Sequence, residues 1–364
     1  MAVIGAGVVG CAVSLALARR GVHVAVLEAE PEPGLAASGT NSGVLHTGFD
    51  STPGELETEL ILASGRSRDD VLEALAIPVL RCGALMRAGE AAREILGRAR
   101  ANGVFVQARE RGEVEIPGES VTDPVAYTLA LAAESERQGA TVLTGHRVVA
   151  IDAGPIVRTE AGAAIRCRLV VNCAGLFADA VARLAGDDSF EIYPRKGEFL
   201  VFDPPDGDGL DRILLPVPTQ RTKGVLVFPT IDGRIVAGPT AVDLEDKGDW
   251  SVRREASEEI LPQAVSMHPP LEGASPVAAY AGLRPAGRGV NYLIGRSRAR
   301  PELINVSAIR STGLTSSLGI SEHVAAIAEA AGVTLGPPRE LIGEDPPEPH
   351  EPWWRRTAEF RAMA

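Results

Sequence analysis

The apolar positions of this chain fall into short runs whose period changes along its length. Ala2-Val3-Ile4 reads as a buried strand, the nearly uniform apolar stretch from about Val8 to Arg20 as a buried helix, and Val24 to Leu27 as a second strand. Helical periodicity returns near Glu55 to Leu75 and Glu90 to Ala101, with a short strand at Ile77 to Leu80 between them. Asp123-Pro124 can open a helix that runs to about Gln138, where Gly139 closes it before the strand Thr141 to Leu143. Arg168 to Asn172 is apolar on both faces, as a central strand of a parallel sheet is.

From about Glu191 to Ile294 the pattern becomes alternating strands broken by Gly and Pro, namely Glu198 to Phe202, Gly224 to Phe228 and Arg234 to Ala237. Leu303 to Val306 then resumes a buried strand, followed by a helix from about Ser316 to Ala331. The expected fold class is α/β, α+β overall: a discontinuous Rossmann-type nucleotide-binding domain with an inserted lobe on an antiparallel sheet. The expected boundaries are 1–76, 123–190 and 299–336 for the first domain, 77–122 and 191–298 for the second, and 337–364 for an extended tail. That tail is rich in Pro and Glu, with Trp353, Trp354 and Phe360 available to dock on the surface or on another subunit.

The turn between the first strand and helix is Gly5-x-Gly7-x-x-Gly10. Gly5 permits a sharp exit from the strand, Gly7 a close approach of backbone to a pyrophosphate, and Gly10 close packing of helix on sheet. The helix then presents its N-terminal amides and positive dipole end to the phosphates. Glu28 ends the second strand 18 residues after Gly10, where a carboxylate can accept hydrogen bonds from ribose hydroxyls and disfavours a 2′-phosphate. The first 18 residues carry no charge, but no basic region precedes them and three glycines weaken a spanning helix, so a soluble start is expected.

Composition narrows the partners. The net charge of −12 argues against nucleic acid, although a few arginines can still form a local positive pocket for a small anion. Cys11, Cys82, Cys167 and Cys173 lack metal-ligand spacing, so neither a metal site nor disulfides are expected and a cytoplasmic location follows. Of the 36 basic residues only Lys196, Lys223 and Lys247 are lysines, which reflects either genome composition or a thermophilic source.

Three constellations carry chemistry. Ser38 to Phe49 is a loop of small polar residues closing on His46; it is either a structural loop with a surface histidine or a planar-ligand site with a proton carrier. Tyr280-Ala-Gly-Leu-Arg284-Pro places a guanidinium at a strand end, suited to an ion pair or to bidentate anion binding. Ser311-Thr-Gly-Leu-Thr-Ser-Ser317 opens the last helix and is either a capped helix start or a source of amides that stabilise negative charge.

The glycine motif, Asn41-Ser-Gly-Val-Leu-His46, Val171-Asn-Cys-Ala-Gly175, Gly233-Arg-Ile-Val-Ala-Gly-Pro239, the arginine turn and Gly313-Leu-Thr-Ser-Ser occur in order over about residues 1–332. Together they resemble the FAD-dependent D-amino-acid-oxidase-like (DAO) superfamily, in the branch holding glycerol-3-phosphate dehydrogenases or oxidases and L-2-hydroxyglutarate dehydrogenases. The resemblance implies noncovalent FAD, with its adenosine end on Gly5, Gly7, Gly10 and Glu28. Further cofactor contacts are implied for Thr40, Asn41, Ser42, Val148, Ala174 and Gly175, and for Arg284, Gly313, Leu314 and Thr315. It implies catalytic roles for His46, Arg284, Ser42 and Lys223, the last as a lysine beside the flavin or else a solvated turn residue, and substrate contacts from His46, Arg284, Arg310 and Ser311. Two departures stand out: the cysteine-rich iron–sulfur region of some relatives is missing, and Arg310-Ser311-Thr312 stands where an acid, a serine and a proline are usual.

The implied reaction is oxidation of a secondary alcohol carrying an anionic group, glycerol 3-phosphate first and L-2-hydroxyglutarate second, by hydride transfer to flavin N5. An amine or amino-acid oxidase of the same superfamily and a non-catalytic electron-transfer flavoprotein subunit are the rivals. No second glycine motif offers a nicotinamide site, so oxygen or a quinone-like carrier is the expected acceptor. A protein soluble or peripheral to the membrane is expected, with its oligomeric state open.

Overall fold

The computed structural model describes residues 1–205, 209–218, 224–343 and 351–363. A six-stranded sheet runs in the order Leu293–Arg296, Leu303–Ser307, Val170–Asn172, Ala2–Ile4, Ala25–Leu27, Thr141–Leu143, parallel except at its first pair. The doubly apolar strands have covers on both sides. Val3, Val26, Val171 and Ile304 meet residues of the helices Val8–Ala18, Pro124–Arg137 and Gly313–Ala330. Ala2, Ile4, Leu27, Val170 and Leu303 meet the helix Ala178–Leu184 and the small sheet of Val148–Asp152, Ile156–Thr159 and Ala164–Arg166.

The second, nine-stranded sheet is built on the long strand Ile192–Phe202, which pairs antiparallel with Ala278–Gly287 over its whole length. Register sets Arg195 opposite Arg284. A fourth sheet, of three strands, joins Val44–Leu45, Ser120–Thr122 and Val79–Leu80, with Leu45 in the core of the first large sheet and Val44 and Val121 in that of the second. Its register, Leu45 opposite Ser120, brings the next residues along each strand, His46 and Glu119, to the same edge.

Two elements differ from the sequence expectation. Leu293–Arg296, expected on the inserted lobe, pairs antiparallel with Leu303–Ser307 and so extends the first sheet. The tail, expected to be extended, contains the helix Trp353–Met363. Trp353 is 2 % exposed and packs edge-on to Tyr280 at 5.5 Å, so burial of two tryptophans, not local helix preference, fixes this helix. No helix among the described residues is long and apolar enough to cross a membrane.

Candidate active site

The glycine turn is shaped for a ligand. Gly5 has φ +98° and a Cβ there would lie 2.6 Å from the Cys173 carbonyl oxygen; a Cβ on Gly10 would overlap the Gly5 carbonyl. Only glycine fits either place. Ser38 Oγ accepts from the Val8 amide at 2.9 Å, and the other amides of this first turn have no partner within the helix. Glu28 accepts from the amides of Ala6 at 2.6 Å and Glu30 at 2.9 Å. Burial pushes the Glu28 carboxyl above its ordinary value against these bonds, a cost that hydroxyl donors from a ribose would offset.

These residues open on a cavity of about 560 Å³ lined also by Asn41, Val148, Ala174, Gly175, Arg310, Gly313 and Leu314. Ser307 Oγ lies on its wall, buried, with no hydrogen-bond partner among the described residues. The cradle, the buried carboxylate and the orphaned hydroxyl fit a dinucleotide. Gly10 acts from behind the wall by letting helix and strand approach.

A second cavity of about 280 Å³ adjoins the first and shares Ala37, Asn41 and Arg310 with it. Thr40, Ser42, His46, Arg284 and Ser311 line it, together with Asp50, Glu57, Arg98 and Arg195. His46 Nδ1 bonds to Glu119 Oε2 at 2.8 Å, and the Glu119 side chain is wholly buried. The other carboxylate oxygen accepts from the Thr47 amide at 2.6 Å and the Thr47 hydroxyl at 2.9 Å. Burial opposes ionisation of Glu119, but the charge and hydrogen bond of His46 with the Thr47 amide outweigh it and hold the carboxyl below its ordinary value. An ionised Glu119 can only accept, so the ring keeps its proton on Nδ1 and donates it to the carboxylate, which leaves Nε2 as the acceptor of the ring.

Arg284 is held by carbonyl oxygens: Nε donates to Arg195 at 3.0 Å, and Nη2 to Lys196 at 3.0 Å and Thr240 at 2.7 Å. Burial, and then the nearby Arg195 charge, push its pKa down to about 10, so it stays cationic at neutral pH. Arg195 is itself clamped on Asp243 at 2.6 Å. Across the cavity Arg310 donates to Asn291 at 2.9 Å and lies 3.7 Å from Glu57, whose carboxylate also accepts from Thr312 and Asn291 at 2.6 Å each. Guanidinium groups from a strand of the second sheet and from the turn before the helix Gly313–Ala330 thus line the same cavity.

Several expected site residues play other parts. Thr315 lines neither cavity; its hydroxyl accepts from the His46 amide at 3.1 Å and donates to the Val44 carbonyl at 3.3 Å, so it holds the loop to the last helix. Ser42 and Thr40 face the smaller cavity, not the larger. Lys223 lies outside the described residues. Lys196 is buried and paired with Asp249 at 2.8 Å, and Lys247, on the wall of the larger cavity, bonds Asp179 at 2.7 Å. Glu119, Arg195 and Glu57 belong to no motif of the sequence, and Ser38 enters there only as the first residue of the His46 loop. Nothing in the run Val114-Glu-Ile-Pro-Gly-Glu119-Ser-Val121 sets Glu119 apart from Glu115; only the fold does.

The family model described as "DAO: FAD dependent oxidoreductase" matches residues 1–327. A glycerol 3-phosphate dehydrogenase of Caloramator mitchellensis is 28 % identical over 348 residues, 89 % of this chain and 72 % of that protein. The mitochondrial L-2-hydroxyglutarate dehydrogenase of Mus musculus is 30 % identical over 279 residues, 66 % of this chain and 60 % of that one. Among solved structures, a dithionite-reduced L-alpha-glycerophosphate oxidase from Mycoplasma pneumoniae with FAD bound superposes with a TM-score of 0.85 at 24 % identity, covering 95 % of this chain and 98 % of that one.

Proposed function

The chain belongs to the DAO family of FAD-dependent oxidoreductases, and from that premise we propose that it oxidises a secondary alcohol bearing an anionic group, with glycerol 3-phosphate as substrate. The observation that carries this reading is the His46–Glu119 pair opening on an arginine-walled cavity that adjoins the dinucleotide cavity. The glycerol 3-phosphate dehydrogenase relative supports the choice of substrate.

Gly5, Gly7, Glu28 and the first turn of the helix Val8–Ala18 would hold the cofactor's adenosine and phosphates. FAD, when bound, supplies the hydride acceptor. His46 Nε2 takes the hydroxyl proton, and Glu119 fixes the tautomer that makes this possible and stabilises the imidazolium that results. Arg284 supplies a fixed positive charge for the anion; three carbonyl bonds stop it from following the substrate, so it orients as well as attracts. Arg310, on the lining of the same cavity, offers a second anchor. Oxygen or a quinone-like carrier is the electron acceptor of this reading.

The test is an anaerobic reduction screen of the purified flavoprotein with glycerol 3-phosphate, L-2-hydroxyglutarate, L-lactate, sarcosine and D-amino acids. Bleaching by glycerol 3-phosphate at the highest rate supports the proposal. A faster reaction with L-2-hydroxyglutarate reassigns the anion, and one with the amines overturns alcohol oxidation. In His46→Asn the flavin stays bound and bleaching collapses; normal reduction would remove His46 from the proton transfer.

A further inference from the structure

One part of the larger cavity's lining brings together two segments remote from the glycine motif. Trp250, from the loop after the strand Val242–Asp243, and Arg361, from the terminal helix, line it beside Glu28 and Glu30. One belongs to the inserted lobe and the other to the C-terminal tail, both remote in sequence from the cofactor motif. Arg361 is fixed on three sides. Its Nε donates to the Leu35 carbonyl at 2.7 Å, Nη1 to Glu30 Oε1 at 3.1 Å, and the guanidinium carbon lies 4.8 Å from the centre of the Trp250 ring. Nη2 makes no hydrogen bond to a described protein atom, and the side chain is only 13 % exposed.

Such an arrangement is more than a surface ion pair. A guanidinium stacked on an indole and held by a carbonyl and a carboxylate loses little freedom when it binds an anion. The terminal helix that carries it is itself anchored, with Trp353 in the core against Tyr280 and Arg356 paired with Glu32. The other cations lining this cavity are differently committed: Lys247 is bonded to Asp179, Arg147 lies 3.8 Å from Glu160, and Arg310 is shared with the smaller cavity.

We propose that the terminal helix is a clasp on the cofactor, in which Arg361, laid on Trp250, binds the adenosine-diphosphate half of FAD. The inference rests on the FAD reading and deepens it: cofactor retention requires the inserted lobe and the terminal helix as well as the N-terminal glycine turn. It also gives the Glu30–Arg361 pair a purpose, since Glu30 holds the guanidinium in place beside the acid expected to take the ribose.

The test strips wild-type, Arg361→Ala and Arg361→Gln proteins of flavin and titrates each with FAD, FMN and ADP, following flavin fluorescence or competition. Both variants are expected to weaken FAD and ADP by tenfold or more while FMN, which lacks the adenosine part, shifts less than twofold. In the wild-type protein, saturating ADP is expected to slow tryptic cleavage within the terminal helix, a readout that needs no variant to fold. Variants that bind FAD and ADP as the wild type does, or cleavage indifferent to ADP, overturn the clasp while leaving the FAD reading intact. A wild-type protein that binds neither FAD nor ADP overturns both.

Discussion

Replacing Glu119 by Gln keeps the shape of the side chain and removes its charge, which isolates what the carboxylate does for His46. Two donors of Thr47 already occupy one carboxylate oxygen, at 2.6 and 2.9 Å. The glutamine carbonyl takes that seat, and its amide then faces His46 Nδ1 across the present 2.8 Å. That geometry makes Nδ1 an acceptor and moves the ring proton to Nε2, the wrong tautomer for a base. Losing one charge-assisted hydrogen bond costs roughly 1.5–3 kcal/mol of imidazolium stabilisation, about 10- to 150-fold in rate. The tautomer reversal adds to this and brings the total into the ~10²–10⁴-fold range of a lost general base. The assay is anaerobic stopped-flow reduction of the bound flavin by glycerol 3-phosphate, with flavin content and thermal midpoint measured beside it. The rate constant is expected to fall by at least a hundredfold at saturating substrate, with the half-saturating concentration changed little. A rate within threefold of wild type, with flavin bound, would refute the role assigned to Glu119.

Arg284→Lys cannot satisfy three separate carbonyl oxygens, so stability is expected to drop by roughly 1–3 kcal/mol and kcat/KM by about a hundredfold or more; unchanged kcat/KM would exclude it as the anion anchor. Gly10→Ala places a methyl group against the Gly5 carbonyl and is expected to give colourless, destabilised protein, and a yellow variant with wild-type stability would contradict the packing described. Glu198 is buried, and although burial raises its pKa, Arg253 and Thr240 outweigh this and hold it below its ordinary value. A lowered folded-state pKa stabilises above the unfolded value of about 4.3 and loses that contribution as pH falls through the folded value. The stability difference between wild type and Glu198→Gln, read by chemical denaturation, is therefore expected to be largest at neutral pH and to shrink below about pH 4; a gap independent of pH would rule the ion pair out as its source.

What the sequence disclosed was local. Gly5, Gly7, Gly10 and Glu28 lie within one strand–turn–helix–strand unit, so their spacing alone specifies their geometry. The His46 loop and Arg284 were recognisable as motifs, but their partners were not. Glu119 lies 73 residues from His46 and meets it only because the register of Val44–Leu45 on Ser120–Thr122 sets them side by side. The carbonyls that hold Arg284 come from Arg195, Lys196 and Thr240, positions fixed by the pairing of Ile192–Phe202 with Ala278–Gly287 and by a loop beyond it. The terminal helix is not legible in the sequence because its charged residues dilute the apolar pattern; two tryptophans make it fold, and they are informative only once their pocket exists. The motif puts Thr315 on the cofactor, whereas its hydroxyl ties the His46 loop to the helix.

The most direct measurement is anaerobic mixing of the flavin-loaded protein with glycerol 3-phosphate, protiated or deuterated at C2, while the visible flavin band is followed and the product is analysed. The account predicts that the band disappears, that one equivalent of the C2 ketone forms per flavin, and that deuterium slows the reaction. A flavin that stays oxidised with this alcohol but is bleached by glycine, sarcosine or a D-amino acid would contradict it.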